Sequence, residues 1–204
     1  MGDVTIYRPD HTCLFAAASE QHGYFTAAQA RACGFTRFLL AKHAETGRFI
    51  RIRRGLYRLR DYPSSPREEV VAAWLAVGKD VAVVSHESAL DLLELSNVIP
   101  NRIHLTVPRS KRHLPDLPGV AIHTTTRPLN PLDVAVRDGI RLTSPTRTIL
   151  DAAEAGTAPN QIEMAIRQAV EQGLATRRQL EQGARERSKR VNQLVVGALH
   201  QGAQ

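Results

Sequence analysis

Early in the chain the spacing of apolar residues changes from a period of 3.6 to a period of 2 at Gly47, and this change limits what the N-terminal region can fold into. Before Gly47, the stretch FTRFLLAKHAETG puts Phe35, Leu39, Leu40 and Ala44 on one helical face, with Thr36 as N-cap and Gly47 as stop. After it, Ile50 and Ile52 alternate with Arg51 and Arg53, so the isoleucine face is expected to anchor the hairpin to the helices; Arg54 and Gly55 supply a turn, and Leu56, Tyr57 and Leu59 make the return strand. Upstream, Asp10 caps a helix that carries Leu14, Phe15 and Ala18 and ends near Gly23. Thr26 with Gln29 forms a capping box for a short helix that stops at Gly34. Three capped helices followed by a β-hairpin is the order of a winged helix-turn-helix.

Charge follows the same segment. From Met1 to Tyr62 there are ten Lys or Arg and five Asp or Glu, so +5 of the formal +7 lies in less than a third of the chain. Six arginines fall between Arg48 and Arg60 with no acid among them. A solvated face mixes both signs, whereas one sign running across two strands and a turn suits a polyanionic partner. In a winged helix the third helix enters the major groove and the hairpin lies along phosphates. The expected DNA-binding set is therefore Thr36, Arg37 and Lys42 in the third helix, with Arg51, Arg53, Arg54 and Arg58 on the wing. Arg37 is the candidate base contact, because a guanidinium reads guanine bidentately. An RNA-binding module using the same basic face is an alternative.

The prolines and serines of YPSSP (Tyr62 to Pro66) mark a domain boundary, giving domains 1–62 and 63–204. Beyond it Ser65 and Pro66 open an amphipathic helix. A short buried strand over Val81 to Val84, a helix from Ser85 to Leu95, and strand-like runs at RIHLTVP, GVAIHTT and DVAVRDGIRLT follow. Ser144 and Pro145 then start a helix, and the remainder is helical, punctuated by Gly173 and Gly183. The expected class is α+β: a winged helix-turn-helix followed by a mixed α/β domain ending in helices.

No phosphate-binding glycine loop, kinase signature or clustered nuclease carboxylates occur; Asp151 is spaced to pair with Arg147 on one helix face. Ser85 reads as a helix cap with His86 in the first turn, and His104 and His123 as surface or partner-facing residues on strands. Cys13 and Cys33 are too few for a disulfide framework and sit in alanine-rich helical stretches. They read as buried small hydrophobes. Pairing them with His22 and His43 as zinc ligands is conceivable on paper, but the spacing matches no usual finger. No apolar run approaches the length of about eighteen residues that spans a bilayer. A reduced, soluble, cytoplasmic protein with no cofactor, no metal and no membrane partner is expected.

Residues YFTAAQARACGFTRFLLAKHAETGRFIRIRRGLYRL resemble the N-terminal winged-helix domain of the AbiEi-type antitoxins of bacterial toxin–antitoxin systems. The segments VVSHESALDLLEL, HLTVPRS, LPGVAIHTT and GIRLTSPTRTILDAA resemble the antitoxin domain that follows it, so the likeness reaches about Gly173. The resemblance implies a binding protein, not an enzyme, that represses its own operon at promoter repeats. It also implies a cognate nucleotidyltransferase-like toxin encoded in the same operon. Similar N-terminal halves also precede endonuclease domains of the very-short-patch-repair type, whose acidic cluster is missing here. A further alternative is an enzyme that inactivates the toxin by covalent modification, with Ser85 and His86 as its first suspects.

Overall fold

A computed structural model describes residues 8–114, 116–126 and 129–201. The chain divides into two compact units, Met1–Gly78 and Lys79–Gln204, and the fold is α+β.

The first unit runs α1 (His11–Ser19), β1 (Tyr24–Thr26), α2 (Ala27–Ala32), α3 (Arg37–Glu45), β2 (Phe49–Arg53), β3 (Leu56–Leu59) and α4 (Glu68–Val77). The helix starts are those the sequence marks. Asp10 Oδ1 accepts from the Cys13 N–H, Thr26 and Gln29 close a capping box, and Thr36 Oγ1 accepts from the Leu39 N–H. Helix α1 ends earlier than expected, and Tyr24–Thr26 forms a strand. With it the sheet is three-stranded and antiparallel, in the order β1-β3-β2.

Strand register corrects the expected face of the hairpin. Phe49 pairs with Leu59, Arg51 with Tyr57 and Tyr57 with Phe25, and cross-strand partners share a face. Phe25, Phe49 and Tyr57 join Leu14, Phe35 and Leu40 in the core under the helices, with Leu59 packed against it. Burial of each of these large apolar side chains is worth roughly 1.5–3 kcal/mol. Ile50 pairs with Arg58 on the opposite face, the one that α4 covers through Glu68. A register shift between Arg51 and Arg53 leaves Ile52 37% exposed. Ile50 and Ile52 therefore do not anchor the hairpin to α1, α2 and α3. Phe49, one residue earlier, does.

Helix α4 belongs to this unit, which places the division of the chain after Gly78 and not at Tyr62. Tyr62 packs so closely on Gly23 (φ +84°) that a Cβ there would meet its ring at 2.4 Å, and its hydroxyl donates to the Ser19 carbonyl. The proline and serine stretch is thus a corner inside the unit. The helix starts at Glu68, after Ser65, whose N–H donates to the Glu68 carboxylate.

The cysteines correct a second expectation. Cys13 and Cys33 form a disulfide, with Cα atoms 5.7 Å apart, joining the first turn of α1 to the C-cap of α2. That separation is the usual one for bridged cysteines, so they are not free buried thiols.

The second unit runs β4 (Val83–Val84), α5 (His86–Leu92), β5 (Ile103–Pro108), β6 (Val120–Thr125), β7 (Val134–Arg137), β8 (Ile140–Thr143), α6 (Pro145–Ala155), α7 (Pro159–Glu171), α8 (Arg177–Arg185) and α9 (Lys189–Gln201). Its sheet has the order β6-β5-β4-β8-β7, with β5–β6 and β4–β8 parallel and the other pairs antiparallel. Asp138 and Gly139 both take positive φ, the two-residue hairpin turn that Asp-Gly favours. Helix α5 lies against β5, β8 and α6, and α6 to α9 pack on one another. Gly183 does not break a helix. It sits inside α8, where an added Cβ would come within 2.5 Å of Leu150, so it permits close packing on α6.

Candidate nucleic-acid interface and a histidine cluster

The exposed surface of α3 consists of Arg37, Phe38, Ala41, Lys42 and Glu45. Thr36 is exposed too, but its hydroxyl is engaged in capping. Phe38 is 73% exposed and shares a helix face with Lys42 at i,i+4. The sequence reading did not assign it, although its position off the stripe of Phe35, Leu39, Leu40 and Ala44 was the available signal. At the start of α3 a depression of about 540 Å³ is lined by Arg31, Ala32, Gly34, Phe35, Thr36 and Arg37. Arg31, also unassigned from sequence, thus stands beside Arg37 where the helix presents free N–H groups.

On the hairpin, Arg51 and Arg54 are exposed and Arg53 is half-buried. Arg51 pairs with Tyr57 and Arg53 with Leu56; neighbouring strand residues face opposite ways, so these two arginines do not share a face. Arg58 is not available to a partner. It is buried, donates to the Tyr62 and Pro63 carbonyls at 2.8 and 3.2 Å, and pairs with Glu68 at 2.7 Å. Its guanidinium also lies 5.8 Å from the Tyr24 ring centroid. Arg60 is used internally as well, through Nε to the Gly47 carbonyl. His43 faces inward, 4.9 Å from the Phe49 ring, and with both cysteines in the disulfide no zinc set forms there.

The second unit holds a cluster that the sequence reading dispersed. His86 (start of α5), His104 (β5) and His123 (β6) offer ligand nitrogens all within 4.8 Å of one another. His104 Nδ1 and His123 Nε2 are 2.9 Å apart, and the His86 ring stacks on His123 at 3.6 Å. The register explains part of the meeting: His123 pairs with Thr106, two residues along from His104, so His104 and His123 lie on one face of the sheet, where His86 meets them from the start of α5. Ser85, fully buried, places its hydroxyl 2.9 Å from His86 Nδ1 and 2.8 Å from Thr106 Oγ1 and so makes no side-chain cap. His86 has φ +53°, a left-handed conformation costing about 1–2 kcal/mol for a residue with a Cβ. Burial, and then the neighbouring His123 and His104, push the His86 pKa down to about 3. Burial also lowers those of His104 and His123.

A cavity of about 490 Å³ opens beside the cluster, lined by His86, His123, Arg109, Arg147, Asp151 and Arg187 among others. Asp151 is buried and accepts from Arg147 Nε (2.9 and 2.7 Å) and Arg187 Nη2 (2.6 Å). The expected i,i+4 pair is therefore one side of a three-residue network. Arg190 donates to the Ala153 and Glu154 carbonyls, so half the basic run RERSKR is spent fastening the α8–α9 junction to α6.

The helix and strand order of the first unit defines a winged helix-turn-helix protein. Residues 14–60 match the family model of the AbiEi antitoxin transcriptional regulators, so that segment is similar to this family. Among curated proteins none matches the chain. Among solved structures, the RV2827C protein from Mycobacterium tuberculosis is similar with a TM-score of 0.61 at 16% identity, over 95% of this chain and 77% of that one. At that identity the likeness is one of fold. Among the described residues no helix is long and apolar enough to cross a membrane.

Proposed function

We propose that the protein is an antitoxin that represses its own operon by binding promoter repeats and neutralises a nucleotidyltransferase-like toxin encoded beside it. It acts in the cytoplasm and by binding, not by catalysis. The observation that carries this reading is the exposure of Arg37, Lys42, Arg51 and Arg54 on α3 and the hairpin of a unit that matches a regulator family. In this reading Arg37 and Phe38 meet base edges, and Lys42, Arg51, Arg53 and Arg54 hold phosphates. Ser85 is fully buried, which speaks against it as the nucleophile of a toxin-modifying enzyme.

Fluorescence anisotropy with a duplex from the chain's own promoter, a scrambled duplex and a structured RNA tests the first half. About four phosphate contacts give a slope of log K against log salt of roughly −3 to −4. Preference for the RNA would support the RNA-binding alternative. For the second half, the toxin should co-purify with the full chain and keep its mass while inhibited. A mass increase dependent on this protein would support covalent modification.

A further inference from the structure

The DNA- and toxin-binding reading makes no use of the histidine cluster, and the cluster's chemistry is that of a ligand set. We propose that His86, His104 and His123 form a three-imidazole site for a divalent d-block cation of the zinc class, with a fourth position open to the adjoining cavity. Three imidazoles in one place bring three nitrogen lone pairs together. Without a cation, the His104 Nδ1 to His123 Nε2 contact at 2.9 Å is held by a shared proton, which a metal would displace. A single cation can take one lone pair from each ring.

The donor type selects the metal. An all-imidazole set suits zinc, cobalt, nickel or copper and is a poor match for magnesium or calcium, which take oxygen ligands. No carboxylate belongs to the cluster; Asp151, on the cavity wall, is held by two arginines. Zn–N distances of about 2.0–2.1 Å place tetrahedral ligand nitrogens about 3.3 Å apart. The His104–His123 separation is already close to that. His86, stacked on His123, needs a turn about χ2, a soft torsion.

The surroundings supply what a ligating imidazole requires. Ser85 Oγ sits at His86 Nδ1 and is itself bonded to Thr106, so it can accept the Nδ1 proton and leave Nε2 for the metal. His86 and His123 line the cavity, so the fourth position faces solvent and takes water or an anion, as open zinc sites do. Arg109 on the same wall favours the anion.

The test uses the full chain without an affinity tag, stripped with a chelator and titrated with Zn²⁺ by calorimetry and with Co²⁺ by visible absorption. One equivalent should bind, and the cobalt complex should show the intense bands of four-coordination. His104→Ala and His123→Ala should abolish binding, Ser85→Ala should weaken it by roughly 10- to 100-fold, and His113→Ala, at an exposed position, should leave it unchanged. No binding, a weak six-coordinate cobalt spectrum, or equal binding by the His113 and His123 variants overturns the proposal. If an alanine variant fails to fold by circular dichroism, the imidazole ¹⁵N shifts of the wild type decide: zinc must move those of three histidines, and unmoved resonances refute the site. The DNA titration does not depend on this site, so either proposal can fail without the other.

Discussion

Arg58 and Arg37 carry the same charge within one basic unit and have opposite fates. Arg58 has no solvent to lose and four acceptors to satisfy, the Leu59, Tyr62 and Pro63 carbonyls and Glu68. Truncation to Ala takes the donor from those carbonyls and leaves the partly buried Glu68 carboxylate with the Ser65 N–H in place of its cation. Because the Glu68 side chain is 26% exposed, the expected cost lies below that of a fully buried pair, about 2–3 kcal/mol. Thermal unfolding of Arg58→Ala should show that loss, while the salt slope of DNA binding stays at the wild-type value; a shallower slope would return Arg58 to the interface. Arg37→Ala should instead leave stability unchanged and reduce the preference for promoter over scrambled duplex by about 1–3 kcal/mol. Arg54→Ala should weaken both duplexes alike. Equal losses for both duplexes in the Arg37 and Arg54 variants would abolish the division between base and phosphate contacts. Sequence showed the arginines but could not separate them, because charge is a property of the residue and burial a property of its neighbours.

Among elements, the firmest readings were those with local causes. The caps at Asp10, Thr26 and Thr36 and the start at Ser144 and Pro145 each depend on a few adjacent residues. What failed was non-local. Strand β1 is three residues long and exists because β3 pairs with it, and the hairpin's inner face follows a register shift that alternation alone cannot reveal. The disulfide likewise joins two helices separated by twenty positions. Closing a loop of that length is worth about 3 kcal/mol. Reduction, or the Cys13→Ser and Cys33→Ser double variant, should lower the unfolding free energy of the first unit by that much, measured by denaturant titration; unchanged stability under reductant would contradict the bridge. Asp151→Asn tests the link from α6 to the α8–α9 junction in the same way. It leaves Arg147 and Arg187 facing a neutral amide, and the second unit should lose about 3 kcal/mol.

At the scale of the molecule, each unit has its own core, and the division falls after α4. A fragment ending at Gly78 should therefore unfold cooperatively and bind duplex DNA. One ending at Tyr62 lacks Glu68 and the cover over Arg58, and should show no cooperative transition in the same scan. The winged-helix order, the two-part layout and the basic character of the first part were legible in the chain, since capping, period and charge act over a turn or a strand. The histidine cluster was not. His86, His104 and His123 lie on one helix and two strands, and only the parallel pairing of β5 with β6 and the hydrogen bond that Thr106 donates to Ser85 bring them together. Sequence by itself thus determined where the capped helices start, that a hairpin follows them, and where positive charge accumulates. Tertiary structure alone decided which arginines remain outside and which imidazoles meet, because both depend on contacts between residues that sequence spacing leaves far apart.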